Sequence, residues 1–271
     1  MKLRNQNIIT VAKLIIMLLL WLPLQLRART PIRQIIQQNK SSLYYPRSVE
    51  RFYKANGYQM AWVAPDTVKS HVYDAMLLLD CVRQYGLSHA DYHPKQLLYL
   101  TLQKLVKSQG TKDEEAAFDI LMTDAMIRFV NNLHYGKLNP VYTPAKLDRG
   151  VKFKADAALL VALKSTNFLM AIDSVQPKSK LYIDLQNHMR LLAGQRVGDC
   201  YEIPEALIQK MAINMERLRW KSTTDKKVHL TLIVRLGEII EYKDIYKQDN
   251  RLKKAFYDTH LHNLKLKNAS Q

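Results

Sequence analysis

Hydrophobic positions recur with a helical period over most of the chain. Phe118, Leu121, Met122, Ala125, Met126, Phe129, Val130 and Leu133 fall at i, i+3, i+4, i+7, i+8, i+11, i+12 and i+15. That spacing places them on one face of an α-helix and predicts that the face is buried. Asp113, Glu114 and Glu115 suit the first turn, where the helix dipole favours anions. Gly136 and Pro140 mark the stop.

The same period predicts a second helix from about Val68 to Tyr85, with Asp66 as N-cap, Val68, Val72, Ala75, Met76 and Leu79 inward, and Gly86 as terminator. A third is predicted from Pro94, with Leu98, Leu102, Leu105 and Val106 inward. Weaker helical patterns cover Arg47–Ala55, Ala155–Lys164 and Lys180–Ala193. A last strong one starts at Pro204, carries Leu207, Ile208, Met211, Met215 and Leu218, and reaches Trp220. Lys146–Lys154 and Gly194–Asp199 read as loops. After Trp220 the period changes. Val228, Leu230, Leu232 and Val234 alternate with His229, Thr231, Ile233 and Arg235, a strand pattern, with Ile239–Tyr242 as a second strand. From Lys243 the chain is polar and basic, with a weak helical pattern over Arg251–Tyr257. The expected fold is mainly α: a multi-helix domain with a short β segment near the C-terminus.

Composition narrows this picture. Hydrophobic residues make up 48% and charged residues 24% of 271, which is globular and not disordered. Gly and Pro, at 8 and 9 residues, are too few for a turn-rich β-sandwich or a Gly-loop nucleotide enzyme. Lys and Arg total 41 against 24 Asp and Glu, a formal charge of +17. Such an excess points to a polyanionic neighbour: nucleic acid, an anionic membrane surface or an acidic wall polymer.

The first 28 residues read as an address. Lys2 and Arg4 precede an apolar run from Leu14 to Leu22 that ends at Pro23. A spanning helix needs about 20 apolar residues, so this shorter run reads as a secretory signal, with an uncleaved membrane anchor as the alternative. Cutting after Ala28 leaves Leu26 where a small residue is preferred. Residues 1–28 hold Lys2, Arg4, Lys13 and Arg27 and no acid, so the body remains strongly basic without them. An export segment disfavours nucleic acid as the partner.

Candidate chemistry is sparse. Cys81 sits on or beside an apolar helical face and reads as a buried structural thiol. Cys200 precedes a helix start, where a thiol is more reactive, but no His lies near it in sequence. A Cys81–Cys200 disulfide is a further alternative in an oxidising compartment. His89, Asp91 and His93 put three metal-ligating types in five residues, short of a complete site. His260 and His262 lie in the polar tail. Asp119 and Asp124 are five apart on one helix and share no face, so they form no glycosidase-type pair. No HExxH, P-loop or GxGxxG occurs, and no cofactor or metal is expected. The 15 tyrosines include Tyr44, Tyr45, Tyr53 and Tyr58, which with Trp62 read as core packing, with sugar stacking as the alternative.

Four ordered strings carry a resemblance. They are Phe52-Tyr53-Lys54-Ala55-Asn56-Gly57-Tyr58 through Trp62-Val63, then Tyr85-Gly86-Leu87-Ser88 through Asp91-Tyr92-His93. Asp119 to Ala125 (with Thr123 and Asp124) and Leu133 to Pro140 (with Gly136) follow, and last Asn214-Met215-Glu216-Arg217-Leu218-Arg219-Trp220. Together they resemble the scaffold domain of large (YcbB-like) L,D-transpeptidases. The resemblance implies a helical scaffold over 31–220, a remnant strand and basic tail over 221–271, a periplasmic or exported location, and peptidoglycan or a cell-wall enzyme as partner. Inner-membrane association would come through the N-terminus. It implies a structural role for Phe52, Tyr53, Trp62, Asp119, Thr123, Asp124, Gly136, Pro140, Asn214, Glu216, Arg217, Arg219 and Trp220. The family acts through a cysteine acyl-enzyme on a Ser-His-Gly-Cys-type string. No cysteine follows Trp220, so no catalytic residue is assigned. Three readings stay open: a non-catalytic scaffold or interaction module in peptidoglycan remodelling, one half of a split or truncated enzyme, and a basic periplasmic polyanion-binding protein.

Overall fold

The computed structural model describes residues 31–63, 70–193 and 205–223, and the backbone alone of 230–235 and 238–244. It is mainly helical. The central element is α5 (Lys112–Tyr135), preceded in the chain by α1 (Pro31–Gln38), α2 (Pro46–Ala55), α3 (Val72–Asp80) and α4 (Tyr99–Val106). It is followed by α6 (Pro144–Arg149), α7 (Ala155–Leu163), α8 (Phe168–Asp173), α9 (Lys180–Ala193) and α10 (Glu205–Thr223). No helix among the described residues is long and apolar enough to cross a membrane.

The long helix forms where the apolar period places it. Thr111 caps it: its Oγ1 accepts from Glu114 N at 3.2 Å, and Glu114 Oε2 accepts from Thr111 N at 2.8 Å. This reciprocal pair satisfies two of the helix's orphan donors. Lys104 and Thr111 together hold the Glu114 carboxyl below its ordinary range, the Thr111 N–H chief among the causes. Met122, Ala125, Met126, Phe129, Val130 and Leu133 are all fully buried. Ile120 and Ile127, on the far side, are buried too, so α5 is wrapped all round. A helix buried on all sides is the core of its domain. The turns of α1 (Ile32, Ile35, Ile36), α2 (Val49, Phe52, Tyr53) and α7 (Leu159, Ala162) belong to the same core.

Several elements differ from the sequence reading. The Val68–Tyr85 helix is shorter: α3 runs Val72–Asp80, and a 3₁₀ turn takes Val82–Tyr85. Asp66 and Val68 lie outside the described residues. Leu78, Leu79 and Val82 take the inward positions, so Cys81 between them is exposed and not the buried thiol expected. The third helix begins at Tyr99 and not at Pro94. Pro94 sits in a turn, where His93 O accepts from Gln96 N and Leu97 N, each at 3.0 Å, a position suited to its fixed φ. Leu97 therefore points inward and Leu98 is exposed. The expected loop Lys146–Lys154 is half helix, because Pro144 starts α6 and Leu147 and Asp148 are buried. Leu207 is exposed on α10. Helices α1 and α8 have no counterpart in the reading, since neither reaches three full turns of pattern. Residues 1–28, Gly194–Asp199, Cys200, Pro204 and Arg251–Tyr257 lie outside the described residues.

Gly86 fixes how α10 docks. It ends the 3₁₀ turn at φ 67°, ψ 29°, a left-handed conformation that disfavours a side chain. A Cβ there would lie 2.8 Å from Ala212 Cα on α10. Gly86→Ala is expected to destabilise the fold by about 2–4 kcal/mol, combining the left-handed penalty with overpacking against backbone. The midpoint of urea denaturation reads this directly, and an unchanged midpoint would show that α10 does not rest on Gly86.

Candidate functional site

Three buried polar networks gather most of the motif residues, and each joins distant segments. The first centres on Asp119, fully buried on α5. Tyr53 Oη donates to Asp119 Oδ1 at 2.6 Å and Ala61 N at 2.9 Å. Trp62 N and Val63 N donate to Oδ2 at 2.7 and 2.8 Å. One helical turn on, Thr123 Oγ1 accepts from Trp62 Nε1 at 2.9 Å and lies 2.9 Å from Tyr53 Oη. Burial pushes the Asp119 carboxyl up, and the hydrogen bonds from Ala61, Tyr53, Val63 and Trp62 pull against that. Burial and the neighbouring carboxylate push the Tyr53 phenol far above its ordinary range, so it stays a donor. Phe52 packs edge-on against Tyr53, with centroids 5.2 Å apart.

The second network holds Asp124. Its Oδ2 accepts from Tyr44 N at 2.9 Å and its Oδ1 from Tyr45 N at 2.8 Å. His93 Nε2 lies 2.7 Å from Oδ2. The Tyr44 ring packs at a tilt against His93 at 4.6 Å and lies under the Arg128 guanidinium at 3.8 Å. Arg128 and Lys137 both reach Asp91, at 3.2 and 2.7 Å. Asp119 and Asp124 do diverge on α5, and each binds a different loop. Among the described residues His89 forms an ion pair with Asp80, at 3.5 Å. The His89–His93 stretch thus serves the fold through separate contacts, and no group of three metal-ligating side chains converges among the described residues.

The third network lies on α10. Glu216 Oε1 accepts from Leu138 N at 2.8 Å and from Trp220 Nε1 at 3.0 Å. Arg219, fully buried, donates from Nη2 to Tyr85 O at 2.7 Å and to Tyr182 Oη at 2.8 Å. Burial opposes its charge, but Tyr182 and Glu216 outweigh that and hold the guanidinium above its ordinary range. A Cβ on Gly136 (φ +90°) would sit 2.6 Å from Glu216 Oε1 and 2.7 Å from Trp220 Nε1, so this approach requires glycine. Half-buried Pro140 follows that turn. Asn214 and Arg217 lie on the half-buried side of α10, where Arg217 Nη1 donates to Asn214 Oδ1 at 3.5 Å.

Residues that the sequence reading passed over do the same work. Asp148 accepts from Arg47 N and Ser48 N at 3.2 and 2.8 Å. Asp156 pairs with Arg51 at 3.0 Å. For Asp156 the available signal was an acid beside an apolar run, Ala155 to Leu163; Asp148, between Leu147 and Arg149, carried none. Among the described residues six acids are buried: Glu115, Asp119, Asp124, Asp148, Asp156 and Glu216. Each has a structural partner.

An open groove of about 400 Å³ runs between the N-terminal half of α10 and the Gly86–His89 loop, with Leu87, Leu138 and Ile208 in its wall. An Arg83–Glu205 ion pair crosses its mouth. Cys81 ends α3 and begins the 3₁₀ turn Val82–Tyr85, with its side chain exposed. Cys200 lies outside the described residues. Of the aromatic cluster read as core, Tyr45, Tyr53 and Trp62 are buried, Tyr58 is half-buried and Tyr44 is exposed.

At the end of α5, His134 stacks on Phe153 at 3.9 Å, and its Nδ1 lies 2.8 Å from Val175 O. Burial lowers its pKa from 6.5, against the raising effect of Val175. The unfolded chain therefore takes up the His134 proton first as the pH falls, and stability is lost below about pH 6.5. His134→Gln is expected to flatten the fall in denaturation midpoint between about pH 7 and 5. An equally steep fall in the variant would assign the dependence elsewhere. Asp119→Ala orphans three backbone N–H groups and a phenol. It is expected to cost about 3–5 kcal/mol in urea denaturation, and a cost under about 1 kcal/mol would contradict the account of this network.

The Scaffold domain family model matches residues 47–189, which takes in the first network whole and the second apart from Tyr44 and Tyr45, and stops short of α10. No curated protein matches the chain, and no solved structure does. The chain belongs to the Scaffold domain family, the scaffold domain of L,D-transpeptidases.

Proposed function

We propose that the protein is an exported scaffold or interaction module of the large (YcbB-like) L,D-transpeptidase type, associated with peptidoglycan cross-linking or remodelling. Its partner is peptidoglycan or a cell-wall enzyme, and its place is the periplasmic side, with the N-terminus as signal or inner-membrane anchor. The observation that carries this is the commitment of the buried acids to loops and helix ends: what is built is a rigid frame. The Scaffold domain match supports the reading. So does the basic and apolar pattern of residues 1–28. Paired antiparallel backbone at Leu230–Arg235 and Glu238–Asp244, with Leu232 opposite Tyr242, supports a strand remnant following the scaffold. Within this reading the frame positions a partner.

The test is retention on purified sacculi. The full chain is expected to sediment with sacculi in excess of a control protein matched in charge and size. Retention no greater than the control would overturn the reading. A competing general polyanion-binding role predicts that a DNA duplex displaces the chain from sacculi as readily as a soluble wall fragment does, so the same assay is run with both competitors.

A further inference from the structure

The unpaired positive charge is not spread evenly. Lys146 and Arg149 lie one turn apart on the exposed side of α6, so they share a face. Lys152 and Lys154 follow, both exposed, with half-buried Phe153 between them. Phe153 packs on His134. Phe153 thus anchors a bend whose two flanking lysines face solvent. Arg47 joins them, because its own N–H donates to Asp148 on α6 at 3.2 Å.

The acids of this corner do not oppose these cations. Asp148 and Asp156 are buried, the first accepting backbone N–H groups and the second paired with Arg51. Glu50, one turn along α2 from Arg47, is half-buried. Arg47, Lys146, Arg149, Lys152 and Lys154 form no ion pair among the described residues, whereas Arg51, Arg128, Lys137 and Arg219 all do. The platform beneath is aromatic: Tyr135 lies 4.4 Å from Tyr142 and 6.0 Å from Phe153, and Lys146 Nζ sits 4.8 Å over the Tyr142 ring and donates to Val141 O at 2.9 Å.

We propose that this corner, α6 with the strap to α7, is a docking surface for a carboxylate-bearing wall polysaccharide. The inference rests on the wall-associated reading above and places its contact. Separate point charges on a rigid face, with no shared cradle, suit a linear polyanion that makes several exchangeable contacts, and not one small anion. A membrane surface fits less well, since no large hydrophobic residue of α6 or of the strap, 144–154, is exposed for insertion.

The probe is polygalacturonate, titrated against the full chain at two ionic strengths. The variant Lys146→Gln, Arg149→Gln, Lys152→Gln, Lys154→Gln is compared with Lys40→Gln, Lys95→Gln, Lys107→Gln, Lys164→Gln, which removes the same charge from exposed positions elsewhere. The first is expected to lose about tenfold or more in affinity and the second less than about twofold, with the wild-type affinity falling steeply in salt. Equal losses in the two variants would overturn the proposal, leaving net charge alone. Tighter binding of a DNA duplex or of phosphatidylglycerol vesicles through the same four residues would overturn the assigned occupant. A sacculus arm separates the two readings. Wild-type retention unaffected by the α6 variant sinks the surface and leaves the wall reading, whereas no wild-type retention sinks the wall reading itself.

Discussion

A carboxylate without solvent is costly, and Asp119 sits in the middle of the core with none. It persists there because three consecutive backbone N–H groups, from Ala61 to Val63, and the Tyr53 hydroxyl converge on it. The dependence is mutual. The 61–63 segment has no helix or sheet to satisfy those donors, and buried unpaired donors are as unfavourable as a buried unpaired charge. Trp62 can bury its full indole only because Thr123 receives its N–H. One turn of α5 thereby fixes α2, the segment after it and the tryptophan at once.

Asp124 and Glu216 repeat this arrangement at other places. Each lies on a helix, and each accepts N–H groups from a segment about 80 positions away in the chain. Carboxylates suit this role because each offers two oxygens and several lone pairs, so one side chain organises two or three donors. Such networks are directional, unlike apolar packing, and they specify one arrangement of loops on helices. A frame of this kind holds surfaces in fixed relation, which is what a scaffold requires.

The same placement shapes the exterior. Acids drawn inward to serve backbone donors no longer balance the lysines and arginines near them on the surface. At α6 this leaves a basic corner although acids are present in the local sequence. Charge counted along the chain is therefore a poor guide to charge at the surface.

The apolar period was enough to place α5, α2, α7 and α9 to within a few residues, because a buried helical face repeats locally and needs no knowledge of its neighbours. The family strings were visible for a related reason: buried acids, aromatics and glycines leave recognisable residue types. The sequence did not reveal what those residues touch. Whether Cys81 faced the core depended on α3 tightening into a 3₁₀ turn with Val82 inward. Whether Leu97 or Leu98 was buried depended on the turn at Pro94. Partners such as Asp124 with Tyr44 and Tyr45, or Arg219 with Tyr85 and Tyr182, lie dozens to more than a hundred positions apart. Local pattern sets which segments are helical and which faces are apolar. Only the packed chain decides which buried charge meets which donor, since that pairing is long-range, directional and realised only once water has been excluded.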